Sequence, residues 1–182
     1  MAAPPTKPTR FERRIPEGDD RERLVCADCG FVAYENPKVI VGAVAHHGDR
    51  ILMCRRSIPP REGFWTLPAG HLEVGETPEE GVQREAWEEA RARIGIELLL
   101  AVYTIVHPAQ VQLIYRARLL DPHVEAGPES HEVALYRWDE IPWDAIAFPS
   151  VRWALEHWHA TRDREGFPPH ANPAGALARE EH

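Results

Sequence analysis

A chain of 182 residues with a net charge of −8 has room for one domain with a substantial core and a short appendage. The acidity argues against general binding to nucleic acids or anionic membranes, although an acidic protein can hold phosphates where a divalent cation neutralises the site. Three cysteines do not make a disulfide framework, and there is neither a run of about 18 apolar residues nor a signal-peptide pattern, so we expect a soluble, cytoplasmic protein.

Residues 1–35 are predicted to form an N-terminal extension, of which the Pro-rich first ten residues are expected to be mobile. Cys26 and Cys29 form one Cys-x-x-Cys knuckle, whereas a tetrahedral structural zinc site needs two. His46 and His47 could in principle complete a site, but they lie near a predicted hairpin turn and are expected to face solvent. We therefore expect a vestigial knuckle that holds no stoichiometric zinc.

Residues 36–162 alternate between strand and helix patterns and are predicted to form the main domain, followed by a tail at 163–182 without periodicity. One long helix interrupts the strands and a second, amphipathic helix follows them, which indicates an α/β or α+β fold. The predicted strands are 38–45 and 51–55 as a hairpin, a short strand at 64–69, and then 97–106, 111–119 and 132–138; the second helix is predicted at 150–162.

The long helix carries three carboxylates on one edge. Its start is marked by Thr77 as N-cap, with Glu80 completing a capping box. At about 100° per residue, Glu85, Glu88 and Glu89 fall within an arc of roughly 100°. Like charges at such spacing cost about 0.2–0.5 kcal/mol per pair, so a solvated acidic face is the plain alternative to a functional one. Clustered carboxylate oxygens are the ligands that Mg²⁺ or Mn²⁺ prefers.

The spacing of these residues resembles the Nudix box, the loop–helix signature of Nudix hydrolases. Gly70 is followed after five residues by Glu76 and after seven more by the sequence REAWEE, which begins at Arg84. The places usually held by Gly and an aliphatic residue hold Arg91 and Ala92, so the helix could end differently here. The resemblance implies a Nudix α/β/α sandwich with a mixed sheet, preceded by a short ribbon-like segment.

A second resemblance reaches beyond the box. The stretches RIPEGD, CADCG and YENPKVIVG are similar to a Nudix subgroup with an N-terminal zinc ribbon, the FAD and ADP-ribose pyrophosphatase-like enzymes. In that subgroup another Cys knuckle lies ahead of the Ile-Pro-Glu-Gly turn. The matching stretch here, residues 4–7, has no Cys, so only half of the ribbon is present.

The resemblance implies a catalytic site of defined chemistry: cleavage of a pyrophosphate linkage by water with Mg²⁺ or Mn²⁺. Arg84 is expected to orient the box carboxylates, and an Arg at the position of Arg56 commonly reaches substrate phosphates in the family. The general base comes from the helix or from a later loop, where Glu129 and Glu132 are the alternatives. The expected metal ligands are Glu85, Glu88 and Glu89, with the backbone carbonyl of Ala69 or Gly70.

The pocket and the substrate are less sharply defined by the sequence. His107 and Gln110 join two predicted strands and are expected to edge the pocket, and Trp65 could stack on a base, although core packing is its default role. The subgroup favours an adenine dinucleotide or nucleotide sugar such as FAD, ADP-ribose or NADH, with release of AMP. The alternatives are a nucleotide sensor without turnover and an enzyme acting on nucleoside triphosphates. Homodimers are common in such relatives, and no nucleic-acid partner is expected.

Overall fold

The structure is a computed structural model that describes residues 10–176. The chain divides between Asn36 and Pro37 into two compact units, which are described separately. The mobility expected for the first ten residues falls almost wholly outside the described residues. Between residues 10 and 176, no helix is both long enough and apolar enough to cross a bilayer.

The N-terminal unit contains a small antiparallel sheet in the order β1-β2-β3. The loop between β1 and β2 is held by Asp19, whose carboxylate accepts a hydrogen bond of 2.9 Å from Arg23 Nε. A tight turn at residues 27–29 then leads from β2 towards β3. The strands are β1 (Phe11–Arg14), β2 (Arg23–Cys26) and β3 (Val32–Ala33).

The second unit is an α/β/α sandwich with a mixed sheet, as the sequence predicted. It contains β4 (Lys38–His47), β5 (Arg50–Arg56), β6 (Trp65–Thr66), β7 (Ala69–His71), α1 (Pro78–Ala90), β8 (Ile94–Ile105), β9 (Gln110–Leu119), β10 (Ser130–Arg137) and α2 (Pro149–Thr161), with two short 3₁₀ helices between β10 and α2. The main strand order is β10-β5-β4-β9-β8, in which only β4 and β9 run parallel.

Side chains alternate between the two faces of this sheet and form a separate core on each. On β5, Ile51 and Met53 belong to the core that includes α2, whereas Leu52 and Cys54 belong to the core that includes α1. Strand β4 is apolar almost throughout because it is covered on both faces. The two helices therefore lie on opposite sides of the sheet.

The hairpin of β4 and β5 opens instead of pairing along its length. Only His46↔Ile51 and His47↔Arg50 are paired at the turn. Further along, β7 pairs with β4 and β6 pairs with β5, so the segment 65–71 fills the gap between them. A Cβ on Gly42 would approach the Ala69 Cβ to 2.5 Å, so this close approach requires glycine. The opening brings the backbone of residues 69–70 to the middle of the sheet.

Helix α1 begins as the sequence predicted, and its internal glycine has a packing role. Thr77 and Glu80 form the reciprocal capping box, with the Thr77 N–H donating to Glu80 at 2.8 Å. A Cβ on Gly81 would lie 3.0 Å from Val41 Cγ2 and 2.9 Å from Glu76 Oε1. Its absence lets the helix approach both β4 and the preceding loop, which accounts for a residue that costs about 1 kcal/mol in a helix interior.

The helix ends at Ala90 because Arg91 adopts the left-handed conformation, with φ 50°. The Ala92 N–H bonds the Ala86 carbonyl at 3.1 Å, as in a Schellman motif. The helix therefore ends at the place where Gly usually ends the box helix, although the residue here is Arg. The left-handed conformation costs a residue with a Cβ about 1–2 kcal/mol.

We expect Arg91→Gly to stabilise the protein, because Gly adopts this conformation without steric cost. The net gain should be about 0.5 kcal/mol, since Gly also adds entropy to the unfolded chain and removes the guanidinium that lies over the Trp87 ring. Urea unfolding of Arg91→Gly beside Arg93→Gly measures it. Arg93 also lies over Trp87 but has no positive φ, so a gain in both variants would contradict the conformational explanation.

One expectation needs correction. The side chain of His46 is only 19% exposed, because the Trp158 ring of α2 packs against it at 5.6 Å; His47 is exposed as expected.

Residues 163–176, the described part of the tail, contain no helix. His170 exchanges backbone hydrogen bonds of 2.9 Å with Leu100 and Val102 of β8, covering the edge of the sheet. Residues 177–182 of the predicted tail lie outside the described residues.

Candidate active site

Arg84 is the central brace of the loop and helix that form the site. Its guanidinium donates to both carboxylate oxygens of Glu76, at 2.7 and 3.0 Å, and to the His71 carbonyl at 2.9 Å. The same side chain reaches Glu85 at 2.7 Å and Glu88 at 3.1 Å. Hydrogen bonding to Arg84 lowers the pKa of Glu76 to about 2. Glu76 also accepts the Glu73 N–H at 2.7 Å, so it braces the loop.

Glu85 and Glu89 point inwards from α1 towards residues 69–70. They are only 9% and 7% exposed. The Glu85 carboxylate occupies the space that a Cβ on Gly70 would need, and Glu89 Oε2 accepts the Ala69 N–H at 3.2 Å. Burial raises the pKa of both carboxyls, and that of Glu89 reaches about 8. Without a cation, Glu89 therefore retains its proton at neutral pH, because a charge in this buried place lacks full compensation.

This donor set fits a hard divalent cation. Burial raises the pKa of both carboxyls, and the charge of Glu85 raises that of Glu89 further. A nearby cation would stabilise their charged forms, and carboxylate oxygens are the ligands of Mg²⁺ and Mn²⁺. Residues 10–176 contain no group of three or more His, Cys, Asp or Glu side chains arranged to hold a metal. The fit therefore rests on Glu85 and Glu89, with the backbone oxygens of Ala69 and Gly70 and substrate phosphates as further donors.

Glu88 differs from its two neighbours. Its side chain is 55% exposed and its carboxylate contacts Arg84 rather than the 69–70 backbone. The structure thus separates the three-carboxylate edge predicted from the helix into two inward groups and one group at the surface. The apolar face of the helix carries the inward pair to the sheet, because Val82, Ala86 and Ala90 are fully packed there.

The loop before β10 docks onto the C-terminal part of α1 and brings Glu129 to the carboxylates. The Gly127 N–H bonds the Glu89 carbonyl at 2.9 Å, and Glu125 N–H bonds the Ala90 carbonyl at 2.9 Å. The charge of Glu129 contributes to the raised pKa of both Glu85 and Glu89. Glu129 is exposed, so its carboxylate can meet solvent.

Glu132, the other predicted general base, lies on β10. It is paired with Arg55 across the β5–β10 ladder, and its carboxylate is 3.6 Å from Arg55 Nη1. Glu129 is among the charges that contribute most to the pKa of Glu85 and Glu89, and Glu132 is not. Of the two alternatives, Glu129 is the one that the structure brings to the buried pair.

Gly127 is a residue that the sequence reasoning missed, since only the glutamates of its loop were singled out. A Cβ on Gly127 would overlap the Glu88 carbonyl oxygen, so only glycine allows this contact between loop and helix. The Gly-Pro step in a charged loop was the available signal, because such a step marks a specific turn.

We expect Gly127→Ala to destabilise the protein by about 1–3 kcal/mol, since the loop must move away from the helix backbone. The same movement displaces Glu129, so turnover should fall in protein that is still folded at the assay temperature. Thermal unfolding and steady-state kinetics check both effects. Gly166→Ala is the matched control, because a Cβ there meets nothing within 4 Å; equal effects in both variants would contradict the docking role.

Arg56 supplies positive charge to the site. Its charge lowers the pKa of Glu89, which places the guanidinium within electrostatic reach of the buried carboxyl. Arg56 Nε donates to the Pro60 carbonyl at 2.8 Å, and the guanidinium lies 5.4 Å from the Phe148 ring centroid. These contacts hold the guanidinium of Arg56 in place, as binding of a phosphate requires.

The remaining predicted pocket residues are spread over the domain. Trp65 is 7% exposed and packs edge-on against Tyr136 at 5.1 Å, which leaves little of its ring for a substrate. His107 lies in the exposed turn between β8 and β9, and Gln110 begins β9 opposite Lys38. The structure brings neither of these two into contact with the carboxylates.

The sequence comparisons identify the family of both units. The NUDIX domain model matches residues 36–163, and the Nudix N-terminal model matches residues 8–35. A NUDIX hydrolase from Nitrosomonas europaea has a solved structure with a TM-score of 0.86 and 41% identity, covering 94% of this chain and 97% of that one.

Two curated relatives match over the main domain. A MutT-like protein of Streptomyces ambofaciens is 35% identical over 102 residues, which are 56% of this chain and 64% of that protein. An ADP-ribose pyrophosphatase of Methanocaldococcus jannaschii is 27% identical over 113 residues, which are 60% of this chain and 67% of that protein. The chain thus spans about two thirds of the length of these relatives. With the box geometry and the α/β/α sandwich, these matches show that the chain belongs to the Nudix hydrolase family.

Proposed function

We propose that the protein is a divalent-metal-dependent hydrolase that cleaves the pyrophosphate linkage of an adenine dinucleotide or nucleotide sugar and releases AMP. The observation that carries the chemistry is the buried pair of Glu85 and Glu89 against the backbone of residues 69–70. Carboxylates this far from water need a cation, and a pyrophosphate brings the oxygens that complete its coordination.

Each part of the site has a role in this reaction. Bound Mg²⁺ or Mn²⁺ supplies neutralisation of the phosphate charge and a lowered pKa for the attacking water. Glu85 and Glu89 hold the cation, Arg84 keeps Glu85 oriented through the 2.7 Å ion pair, and Arg56 binds a phosphate. Positioning and charge neutralisation are the main demands of phosphoryl transfer.

Glu129 is assigned as the general base. It accepts a proton from water whose oxygen attacks one phosphorus, and the bond from that phosphorus to the bridging oxygen breaks. AMP and the second phosphate monoester leave as products. The assignment rests on the shared electrostatics with Glu85 and Glu89 and on the docking of its loop. Glu129→Gln should lower kcat with little change in metal affinity, whereas Glu132→Gln should leave kcat nearly unchanged.

The substrate class rests on resemblance: the downstream match to ADP-ribose and FAD pyrophosphatase-like proteins, and the ADP-ribose pyrophosphatase of M. jannaschii among the relatives. Groups on both sides of the pyrophosphate can contribute binding energy that positions the central linkage.

The test is kcat/KM for ADP-ribose, FAD, NADH and a set of nucleoside triphosphates, with Mg²⁺ or with chelator, measured as AMP release. We expect hydrolysis only with metal and a preference of at least about tenfold, or 1.4 kcal/mol, for an adenine dinucleotide or ADP-sugar. Preferred triphosphates would overturn the substrate class but retain the metal chemistry. Tight nucleotide binding without turnover of any compound would indicate a sensor. The oligomeric state of the same preparation in solution tests the homodimer that the resemblance implies.

A further inference from the structure

The two cysteines of the N-terminal unit lie on a single tight turn. Cys26 is the last residue of β2, and its carbonyl accepts the Gly30 N–H at 2.9 Å. The Cys26 N–H in turn bonds the Phe31 carbonyl at 2.8 Å, which fixes both ends of the turn. The two cysteines therefore stand at the start and near the end of one hydrogen-bonded turn, three residues apart in sequence. A disulfide needs their Cβ atoms about 3.5–4.5 Å apart, and the two ends of a tight turn can reach that separation by a local adjustment.

A structural zinc ion does not fit this unit. Such a site needs four ligands, drawn mostly from Cys and His. Residues 1–36 contain only these two cysteines and no histidine, and no metal-binding group of three or more side chains occurs in the described part of the chain. The segment that matches the Nudix N-terminal model, residues 8–35, thus contains one turn with two thiols and lacks the further Cys or His ligands that a zinc site needs.

The two thiols differ in the way that disulfide exchange requires. Cys29 is exposed, whereas Cys26 is only 2% exposed. Hydrogen bonding with the backbone of Cys29 and Asp28 and with the Cys29 thiol lowers the pKa of the Cys26 thiol. An external reagent meets Cys29 first, and a thiolate-prone Cys26 lies next to it.

We propose that Cys26 and Cys29 form a redox-active dithiol that exchanges with low-molecular-weight disulfides. The Cys29 thiolate attacks one sulfur of the small disulfide, its S–S bond breaks, and the first small thiol leaves. The Cys26 thiolate then attacks the Cys29 sulfur of the mixed disulfide, and the second small thiol leaves. Two electrons pass from the protein to the small disulfide, and the two thiol protons end on the released thiols.

The test uses the full, tag-free chain, reduced and then equilibrated with glutathione disulfide and glutathione at several ratios. After acid quenching and alkylation, peptide mapping should show a Cys26–Cys29 disulfide that forms and disappears reversibly. Cys54 is 1% exposed and burial raises its pKa, so it should remain reduced and serves as the internal control.

Two variants separate the steps. Cys26→Ser should stop at a mixed disulfide on Cys29, because the resolving thiol is gone. Cys29→Ser should react at least about tenfold more slowly, because the remaining thiol is buried. The wild-type map decides the question even if a variant fails to fold.

Other outcomes would overturn the proposal. Thiols that stay alkylatable under a strongly oxidising ratio would show that the turn does not close a disulfide. Zinc at one ion per chain, or one per two chains, retained with protected thiols after purification without chelator, would make these cysteines metal ligands. A mixed disulfide that persists on Cys29 in the wild type would show that Cys26 does not resolve it.

Discussion

Replacing Glu89 by Gln is expected to lower kcat by about 100-fold or more while stabilising the metal-free protein at neutral pH. The loss of activity follows from removing one of two buried carboxylates that the proposed cation needs, a contribution of several kcal/mol to the transition state. The gain in stability has a separate cause. Glu89 is 7% exposed, and burial raises its pKa from 4.5 to about 8.

The sign of the pH dependence follows from that raised pKa. Between about pH 4.5 and 8 the folded protein retains a proton that the unfolded chain has released. Stability therefore falls as the pH rises through this window. Above the folded pKa, the protein carries the full free-energy cost of an ionised, buried Glu89. Gln carries no charge at any pH, so its advantage should grow across the window to an amount on the order of 1–3 kcal/mol.

Thermal unfolding from pH 5 to 8.5, in chelator and in Mg²⁺, measures both effects. Mg²⁺ should raise the melting temperature of the wild type more at higher pH, because the ligands must lose their protons, and should do little for Glu89→Gln. Glu156→Gln is the control, since Glu156 is an exposed carboxylate on α2, across the sheet. Near-normal turnover by folded Glu89→Gln protein would remove Glu89 from the metal site.

The local parts of this structure could be predicted because their causes are local. The Thr77–Glu80 capping box, the inward apolar face of α1 and the apolar strand β4 follow from neighbouring residues and periodicity, and all are found. The spacing of the box predicts the Nudix family and its α/β/α sandwich. The sequence does not predict the left-handed conformation of Arg91, because Arg rarely adopts it whereas the family usually has Gly at this position.

The parts that could not be predicted depend on contacts between distant segments. Glu129 and Glu132 look alike in sequence, and only the docking of Gly127 on α1 distinguishes them. The burial of His46 depends on Trp158, more than a hundred residues later in the chain. Periodicity also gives no sign that the segment near His170 pairs with β8, because that pairing uses backbone groups.

Arg84→Met should be the most damaging change to the loop that carries the box, with a loss of about 2–3 kcal/mol in unfolding free energy. Breaking a buried ion pair costs about 3–5 kcal/mol, and the estimate is lower here because the Arg84 side chain is 28% exposed. Met has a similar length and keeps the packing of the stem, so the loss reports on the guanidinium. Glu76 and Glu85 would lose their ion pairs and the His71 carbonyl its donor.

The acid limb of the stability curve tests this explanation. Glu76 has a folded pKa of about 2, lowered chiefly by its hydrogen bonds to Arg84, against an ordinary value of 4.5. Its stabilisation is fully present above pH 4.5 and is lost as the pH falls towards 2. The wild type should lose the stabilisation from the Glu76–Arg84 pair on acidification, whereas Arg84→Met lacks that pair at every pH. The difference in unfolding free energy between the two proteins should therefore narrow between pH 5 and pH 3.

Arg84→Lys separates charge from geometry, because Lys retains the positive charge without the planar fork that binds both Glu76 oxygens. It should fall between wild type and Arg84→Met in stability. Both variants should lose about 10–100-fold in metal affinity, as expected when the group that orients a ligand is removed. Arg118→Met, at an exposed position on β9, controls for loss of charge alone. If Arg84→Lys matches the wild type in metal affinity and stability, the positive charge suffices, and the fork is not what holds Glu85 towards Gly70.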